Sequence, residues 1–223
     1  MRNISESPIT GLVLAQEYIE RARALALTKK RSIIAIAGAP GSGKSTVARL
    51  LHEALSDISV VVPMDGYHLS NKELERLGRK GRKGAPDTFD VWGYQSLIKR
   101  LKHQQEGEII YAPEFYRTID EPIAGSLPVF SHTPLIITEG NYLLLSQGGW
   151  QNTIPLFDEN WFVNVPTNER QQRLIDRHCF FGRSLEDAKA WVEKTDEPNA
   201  RLIEQHSQDA DVMIKWSNPP KSK

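Results

Sequence analysis

The feature that most constrains the fold of this chain is the segment GAPGSGKST, which runs from Gly38 to Thr46. It lies between an apolar run, SIIAIA, and an amphipathic run, TVARLLHEAL. Glycine, four residues, glycine, lysine and serine form the spacing of a phosphate-binding loop, in which glycines let successive backbone N–H groups converge on one anion. A strand before the loop and a helix after it complete the pattern, because the helix adds the positive end of its dipole.

The residue types of this loop predict that it binds ATP together with Mg²⁺. Lys44 is expected to reach the β- and γ-phosphates as a point charge, and Ser45 is expected to ligate Mg²⁺. The alternative is a glycine-rich turn with an accidental match, and average composition makes that a chance of roughly one per cent in a chain of this length. The predicted nucleotide-binding residues are Gly38, Ala39, Pro40, Gly41, Ser42, Gly43, Lys44, Ser45 and Thr46.

Apolar runs with strand character alternate with runs of helical periodicity along the chain. The strand candidates are SIIAIA, SVVVP, EIIYAPEFYR running into a loop, PLIITEG, NWFVNV and ADVMIK. The first predicted helices are SPITGLVLAQEYIERARALAL, the helix after the glycine loop, and a short helix from the capping box at Ser70 to near Gly78. The later ones are YQSLIKRLKHQ, TNERQQRLIDRH, a helix that begins at Ser184, and PNARLIEQHS. Strands separated by helices imply parallel pairing through right-handed crossovers. The predicted class is therefore α/β, a P-loop NTPase with a doubly wound parallel sheet and helices on both faces.

Length and charge restrict the remaining possibilities. The 223 residues suit one domain over 31–216, with an amphipathic helix within 1–30 and a disordered tail over 217–223. Lysine plus arginine and aspartate plus glutamate number 28 each, so nothing indicates a nucleic acid or a membrane as partner, and a small-molecule substrate is expected. The chain shows neither a bilayer-length apolar run nor a signal-peptide pattern, which predicts a cytoplasmic location. The single cysteine, Cys179, excludes an internal disulfide.

Two acidic residues follow predicted parallel strands, at the edge of the sheet where ligands bind in such folds. Asp65 follows SVVVP and is positioned to accept a proton or a hydrogen bond from a hydroxyl that attacks the γ-phosphate. Its alternative role is that of an Asp-Gly turn residue. Glu139 ends LIITE and is positioned to hold Mg²⁺ through a water or to orient the acceptor hydroxyl. Its alternative role is to cap the next helix. Position alone leaves both alternatives open for each residue.

Three arginines recur at helical spacing after Pro166. Arg170, Arg173 and Arg177 share one helix face, which predicts a helical lid over about 167–195. We expect Arg173 and Arg177 to act at the phosphates, with Arg183 able to add charge, and at least one of the three to lie on a solvated face.

Other basic residues carry weaker indications. The basic loop, residues 79–83, either clamps an anionic acceptor or, as such charge runs more often do, forms a mobile solvated surface. His68 and His178 are expected to be structural, because phosphoryl transfer chiefly needs positioning and positive charge.

A triphosphate-binding loop does not define a reaction. The guanine-reading NKxD pattern of GTPases is absent, since the nearest string, NKEL, lacks its aspartate. No long apolar strand ends in aspartate as in mechanical ATPases. A small-molecule kinase needs an acceptor-side carboxylate and a cationic lid, and both have candidates here. An ATP-binding regulator without turnover and an autonomous NTPase remain as alternatives.

Several strings also resemble a known family. GAPGSGKST, MDGYHLS, FDVWGYQSLIKRL, ITEGNYLLL and ADVMI occur in the order seen in the uridine kinase, pantothenate kinase and phosphoribulokinase superfamily. GRKGAPDTFDV, EPIAGSLPV, EGNYLLL and EPNARLI resemble bacterial proteins called nucleoside/nucleotide kinase-like or fructose-transport-system kinase-like. The resemblance implies five parallel strands, ATP-Mg²⁺ as donor, and transfer to a primary alcohol.

The resemblance also implies roles for particular residues. It places the catalytic carboxylate at Asp65, an acceptor- or magnesium-linked carboxylate at Glu139, and lid arginines in the region from Arg173 to Arg183. The residues that it places around the acceptor are Tyr67, His68, Asp90, Tyr111, Phe115 and Arg117.

One position departs from the pattern of the resembling proteins. They commonly carry aspartate after an aromatic residue, whereas this chain has Tyr116 there. An acidic group that could hold sugar hydroxyls is therefore missing at this position, and nucleosides, pantothenate-like alcohols and sugars all remain open as substrates. The N-terminal helix fits equally well on its own domain or across a homodimer interface.

Overall fold

The computed structural model describes residues 13–28, 31–206 and 210–215. Its strands are β1 (Ser32–Ala37), β2 (Ser59–Pro63), β3 (Ile109–Tyr116), β4 (Glu121–Phe130), β5 (Leu135–Gly140), β6 (Glu159–Asn164) and β7 (Val212–Lys215). Its α-helices are α1 (Gln16–Ala26), α2 (Lys44–Ala54), α3 (Asn71–Arg76), α4 (Val91–Lys102), α5 (Thr167–Phe180), α6 (Leu185–Trp191) and α7 (Glu197–Glu204), with a π-helical segment, Val192–Asp196, between the last two.

Five of these strands form the central sheet, in the order β2-β5-β1-β6-β7. Every pairing in this sheet is parallel, and Ile34 of the central strand faces Ile137 on one side and Glu159 on the other. Helices connect the strands and cover both faces. The arrangement confirms the predicted doubly wound α/β fold.

The central strand separates two hydrophobic cores because alternate side chains of a strand point to opposite faces of the sheet. Ile33 and Ala35 belong to the core that contains α4 and the aromatic residues Tyr142 and Trp150. Ile34 belongs to the core on the other face, which contains α1 and α2. Burial on both faces explains why β1 is apolar along its whole length.

The segment EIIYAPEFYR does not run into a loop as expected. β3 continues to Tyr116 and pairs with β4 in an antiparallel hairpin, a strand that the sequence analysis did not identify. β4 carries two prolines and one glycine, and half of its residues are exposed, so it lacks the apolar density that marks a buried strand. Arg31 ties the hairpin to the domain by donating to the carbonyl oxygens of Phe130 at 2.7 Å and Ser131 at 2.8 Å, and of Leu101 in α4 at 3.0 Å.

Helix starts follow the predicted caps. The Ser70 hydroxyl accepts a hydrogen bond from the Glu73 N–H, and the Ser184 hydroxyl accepts one from the Asp187 N–H, so α3 and α6 begin where side-chain oxygens satisfy their free amide groups. The predicted lid over 167–195 corresponds to α5, α6 and most of the π-helical segment.

The described part of the N-terminal helix packs on its own domain. Ala22 and Ala26 of α1 are buried in the core that contains α2, and Nε of Arg21 lies 3.0 and 2.9 Å from the two carboxylate oxygens of Glu159. The rest of the predicted N-terminal segment, 1–12 and 29–30, and the predicted tail over 217–223 lie outside the described residues. Within the residues that are described, no helix combines the length and the apolar character needed to cross a membrane.

Candidate active site

The P-loop, residues 38–45, connects β1 to α2. Gly41 and Gly43 have φ angles of +79° and +88°, in the left-handed region that favours glycine. The helix begins at Lys44, directly after Gly43, so its unpaired N-terminal N–H groups border the loop. This is the backbone arrangement that binds a phosphate in other proteins.

Close packing also requires glycine in the P-loop. A Cβ atom at Gly41 would lie 2.7 Å from the carbonyl oxygen of Arg170 and 2.8 Å from Cγ of Leu174, both in α5. A Cβ atom at Gly38 would lie 2.5 Å from Oγ of Ser42. The helix that carries the lid arginines is therefore seated directly on the P-loop.

Ser45 and Glu139 meet where α2 begins and β5 ends. The Ser45 hydroxyl donates to Oε1 of Glu139 over 3.1 Å, and Glu139 is buried. Burial raises the pKa of Glu139, and Lys44 offsets part of that rise. A hydroxyl and a carboxylate oxygen are hard ligands that suit Mg²⁺, so the pair fits the predicted metal position. Among the described residues no group of three or more His, Cys, Asp or Glu could hold a metal, so an ion here needs phosphate or water oxygens as further ligands.

Asp65 lies directly beyond β2, beside Glu139. Pro63 pairs with Glu139 across β2 and β5, which brings both carboxylates to the same end of the sheet. Nη2 of Arg117 is 3.6 Å from Oδ2 of Asp65. Burial by itself would raise the pKa of Asp65, but His68, Arg117 and Lys44 outweigh it, and the pKa lies below its ordinary value. An ionised carboxylate at this point can accept a hydrogen bond from a hydroxyl group.

A cavity of about 710 Å³ opens above the P-loop and Asp65. One wall comes from the β3–β4 turn, another from the basic loop, and a third from the helices α5 to α7. Its lining residues are Pro40, Lys44, Ser45, Asp65, His68, Asn71, Lys80, Lys83, Gly84, Phe115, Arg117, Thr118, Asp120, Asn141, Arg177, His178, Phe181, Arg183, Trp191, Thr195, Asp196 and Asn199. The cavity therefore joins the P-loop to a space that a second substrate can occupy.

Three of the predicted acceptor residues line this cavity. His68, Phe115 and Arg117 do so together with Asp65. Nδ1 of His68 lies 2.8 Å from the carbonyl oxygen of Asp65, and its ring is 4.6 Å from that of Phe115. Burial lowers the pKa of His68, which favours the neutral ring.

The other three predicted acceptor residues lie outside the cavity lining. Tyr67 packs edge-on against Tyr94 at 5.7 Å, and burial followed by the Asp90 carboxylate raises its pKa to about 12. Asp90 caps α4 by accepting a hydrogen bond from the Gly93 N–H at 2.8 Å. Tyr111 is exposed on the hairpin. Asp90 therefore has a structural reason for its position.

The lid arginines have different surroundings. Arg170 is buried and its Nη2 lies 2.8 Å from Oε1 of Glu197 in α7, so it is held in an ion pair and is not solvated. Neither Arg170 nor Arg173 is among the residues that line the cavity. Arg173 donates to the Ser42 carbonyl oxygen of the P-loop at 3.4 Å. Arg177 lines the cavity. Desolvation there, followed by the charge of the nearby Arg117, lowers the pKa of Arg177.

The outer part of the lid adds further polar groups to the cavity. The Arg183 guanidinium lies 4.0 Å from the centre of the Trp191 ring. Nε2 of His178 lies 2.9 Å from Oδ2 of Asp196, which joins α5 to the π-helical segment. The π-helical turn directs residues 195 and 196 into the cavity, as such turns often do at functional sites.

The basic loop is more ordered around Lys83 than its composition suggested. Only 12% of the Lys83 side chain is exposed, and its Nζ lies 2.9 Å from Oδ1 of Asn71 and from Oδ2 of Asp120. The Tyr142 hydroxyl donates to the carbonyl oxygen of Gly84 and fixes the end of the loop. The expectation of a solvated surface was therefore wrong for Lys83. The alternation of glycine and basic residues was the only sequence signal for it.

Asp120 was also missed by the sequence analysis. It lies in the β3–β4 turn, lines the cavity and has a φ of +53°, which is uncommon for a residue with a side chain. It supplies an acidic group on the same hairpin that carries Tyr116. No sequence pattern marks Asp120, because its position depends on the pairing of β3 with β4.

Comparison with known proteins agrees with this geometry. Residues 33–219 match the model of the Phosphoribulokinase / Uridine kinase family. "Putative uridine kinase C227.14" of Schizosaccharomyces pombe is 32% identical over 210 residues, which cover 89% of this chain and 88% of that protein. A "putative fructose transport system kinase" from Silicibacter sp. TM1040 has a TM-score of 0.82 and 38% identity, over 92% of this chain and 100% of its own.

A more distant structure shares the fold. YFH7 from Saccharomyces cerevisiae, a P-loop kinase-type protein with a circular permutation, has a TM-score of 0.78 at 18% identity, over 93% of this chain and 100% of its own. The order of the sheet, the P-loop and the match over most of the sequence lead to one assignment. The chain belongs to the Phosphoribulokinase / Uridine kinase family.

Proposed function

We propose that this protein is an ATP-dependent phosphotransferase that moves the γ-phosphate of ATP to an alcohol group of a small molecule. The observation that carries the proposal is the position of Asp65. Its carboxylate lies at the end of β2, beside Glu139, with its pKa lowered, and it borders both the P-loop lysine and a cavity large enough for an acceptor.

The chemistry follows from the charges around that carboxylate. The acceptor oxygen forms a bond to the γ-phosphorus, the bond from that phosphorus to the bridging oxygen of ADP breaks, and the hydroxyl proton passes to Asp65. Lys44 and Arg177, which line the cavity, would neutralise charge on the phosphate oxygens, and Arg173 contacts the P-loop beside them at the Ser42 carbonyl oxygen.

Ser45 and Glu139 are the residues that would hold Mg²⁺, the Ser45 hydroxyl directly and the Glu139 carboxylate directly or through a water. When bound, the ion would supply positive charge that offsets the negative charge developing on the phosphate oxygens. Burial raises the pKa of Glu139, and a cation bound beside it would favour the ionised carboxylate.

The helical lid gives the site a means of excluding water. Arg177 and Arg183 enter the cavity from α5 and from the turn after it, while the start of α5 is seated on the P-loop. Closing such a helical segment over the nucleotide would limit hydrolysis of ATP by water and bring the lid arginines around the phosphates. We expect the protein to act in the cytoplasm on a soluble substrate.

The proposal is tested by ADP release from ATP-Mg²⁺, with the purified protein alone and with a panel of alcohols. The panel contains nucleosides, pantothenate, simple sugars and hydroxy acids. A rate that one acceptor stimulates at least tenfold over the acceptor-free rate, with the phosphorylated product identified by mass spectrometry, supports the kinase. An equal rate in every well indicates an autonomous NTPase, and ATP binding without ADP release indicates a regulator; either result contradicts the proposal.

A further inference from the structure

The cavity lining carries more cationic than anionic side chains, and they lie on more than one wall. Six lysine and arginine side chains line it against three aspartates. Lys44, Arg177 and Arg183 lie on the P-loop and the lid. Lys80, Lys83 and Arg117 come instead from the basic loop and the hairpin, which form the opposite walls. The second group faces the space that remains for the acceptor.

Among the described residues, Arg117 is the lysine or arginine within ion-pair distance of Asp65. Its guanidinium is 40% exposed and lies 3.6 Å from Asp65, which is longer than a hydrogen bond. Among the described residues this is the one carboxylate within ion-pair distance of Arg117. Since Asp65 marks the position of the reacting hydroxyl, the N–H groups of Arg117 are available to a group of the acceptor close to that hydroxyl. A planar fork of donors suits a carboxylate or a phosphate.

Lys83 shows how an acidic oxygen is bound in this wall. Its buried ammonium contacts the Asp120 carboxylate at 2.9 Å, whereas 62% of the Asp120 side chain is exposed. The backbone carbonyl oxygen of Asp120 also accepts hydrogen bonds from Lys83 and Asn71, so the turn is held independently of the Asp120 carboxylate, which contacts Lys83 on one side and solvent on the other. An anionic ligand can take its place at Lys83 while Asp120 turns into solvent.

The phenyl ring in the acceptor walls, Phe115, is already engaged by other groups, whereas the other lining phenyl and indole rings, Phe181 and Trp191, belong to the lid, where Phe181 contacts Phe180 edge-on. The Phe115 ring contacts His68 at 4.6 Å and the Lys83 ammonium at 5.0 Å. The Trp191 ring contacts the Arg183 guanidinium at 4.0 Å. Binding of a nucleobase usually relies on an aromatic surface for stacking. The acceptor walls thus offer donors and cations rather than a stacking platform.

We propose that the acceptor is a small polyol with one anionic group, a carboxylate or a phosphate monoester, that Arg117 and Lys83 bind in place of Asp120. This inference rests on the proposed kinase function and specifies its substrate class. Asp65 then receives the proton of a hydroxyl near the anionic group, and the products are ADP and a phosphate ester of the acid.

Matched pairs of acceptors provide the first test. Glycerol is compared with glycerate, glucose with gluconate, and ribose with ribose 5-phosphate, with uridine as a neutral nucleoside. We expect at least one anionic member to stimulate ADP release tenfold or more over its neutral partner. Whether carboxylates or phosphates respond identifies the anionic group. Stimulation by a neutral member or uridine instead overturns this inference but leaves the kinase intact, whereas no stimulation by any compound counts against the kinase itself.

Two variants give the second test. Arg117→Gln removes a charge-assisted contact and should raise the KM for the anionic acceptor by about 10- to 100-fold. The increase should not extend to the KM for ATP. Arg76→Gln is the matched control, because Arg76 pairs with Glu73 on the exposed face of α3, and it should leave both constants unchanged. An unchanged acceptor KM in Arg117→Gln overturns the proposal.

Asp120→Asn decides between two roles for that carboxylate. If Asp120 occupies the place of an anionic ligand, its removal eliminates a competitor and the acceptor KM falls. If Asp120 instead accepts hydrogen bonds from the hydroxyls of a neutral sugar, the same change raises the acceptor KM. The direction of the change therefore supports or overturns the proposal, and a thermal melt that matches the wild type shows that the variant is folded.

Discussion

The nucleotide side and the acceptor side of the cavity are built in different ways. On the nucleotide side, one uninterrupted segment between β1 and α2 supplies the glycines, Lys44 and Ser45. On the acceptor side, Asp65, Lys83 and Arg117 come from three separate loops, and only the pairing of the hairpin and the packing of the basic loop bring them together.

The difference teaches where function is encoded in this fold. The P-loop depends on local backbone geometry, because left-handed glycines and a helix start are set by neighbouring residues. The acceptor wall depends on contacts between distant parts of the chain, such as that of Lys83 with Asp120. A change on one side should therefore leave the other side largely intact.

Lys44→Ala and Asp65→Asn should separate the two sides most strongly. We expect each variant to lower kcat by about 10²- to 10⁴-fold, because one loses the charge on the transferring phosphate and the other loses the proton acceptor. ATP affinity should fall in Lys44→Ala and stay close to the wild-type value in Asp65→Asn. Single-turnover rates and equilibrium titration with ATP measure the two effects. A comparable loss of ATP affinity in both variants would break the distinction.

Arg170→Met should mainly lower the free energy of unfolding, because Arg170 belongs to α5, the helix that is seated on the P-loop. The change leaves Glu197 without its buried partner, and such a loss costs about 3–5 kcal/mol of unfolding free energy. Urea denaturation measures this cost. Arg76→Ala, which breaks an exposed pair, serves as control and should leave the denaturation midpoint unchanged. Equal stability of the two variants would show that the Arg170 pair contributes nothing to the fold.

Glu139→Gln, at the boundary of the two sides, should increase the Mg²⁺ requirement of the reaction, an effect of intermediate size. Loss of a carboxylate that supports Mg²⁺ is expected to raise the Mg²⁺ concentration for half-maximal velocity by about 10- to 100-fold. The maximal velocity at saturating Mg²⁺ should recover in part. The measurement is a Mg²⁺ titration at saturating ATP. An unchanged titration curve would remove Glu139 from the metal site.

The same variant should show a smaller effect on stability, with a defined pH dependence. The pKa of Glu139 is raised in the folded state, mainly by burial, so its ionised form destabilises the fold above the pKa of the unfolded chain. Glu139→Gln should therefore have a higher Tm than the wild type near pH 7, and each kcal/mol gained corresponds to about 2–4 °C. The difference should vanish as the pH falls below the ordinary glutamate value. A lower Tm near pH 7 would contradict the burial argument.

Much of the fold could be predicted because its elements carry local signals. The buried strand SIIAIA, the glycine loop and the Ser70 and Ser184 caps each depend on residues within a few positions of one another, and the structure has them where they were expected. β4 could not be predicted in the same way. Its prolines and its exposure obscure the strand pattern, and its stability comes from pairing with β3 and from the hydrogen bonds of Arg31.

The candidate site divides in the same manner. Lys44, Ser45 and Asp65 follow strands of one parallel sheet and Glu139 lies near the end of another strand of that sheet, so their order in the sequence already implies that they lie at one edge. Lys83 and Asp120 carry no comparable signal, since a basic loop and a hairpin turn have no fixed position relative to a sheet.

The sequence by itself determined the phosphate-binding loop, the parallel sheet and the pair of carboxylates at the ends of its strands, because short spacings and strand order are enough to specify them. Tertiary structure alone decided which polar residues reach the cavity. Asp90 caps a helix, Arg170 is buried against α7, and Lys83 with Asp120 forms the acceptor wall. The physical reason is that the direction of a side chain from a loop is set by the contacts of that loop with distant segments, and these contacts exist only in the folded chain.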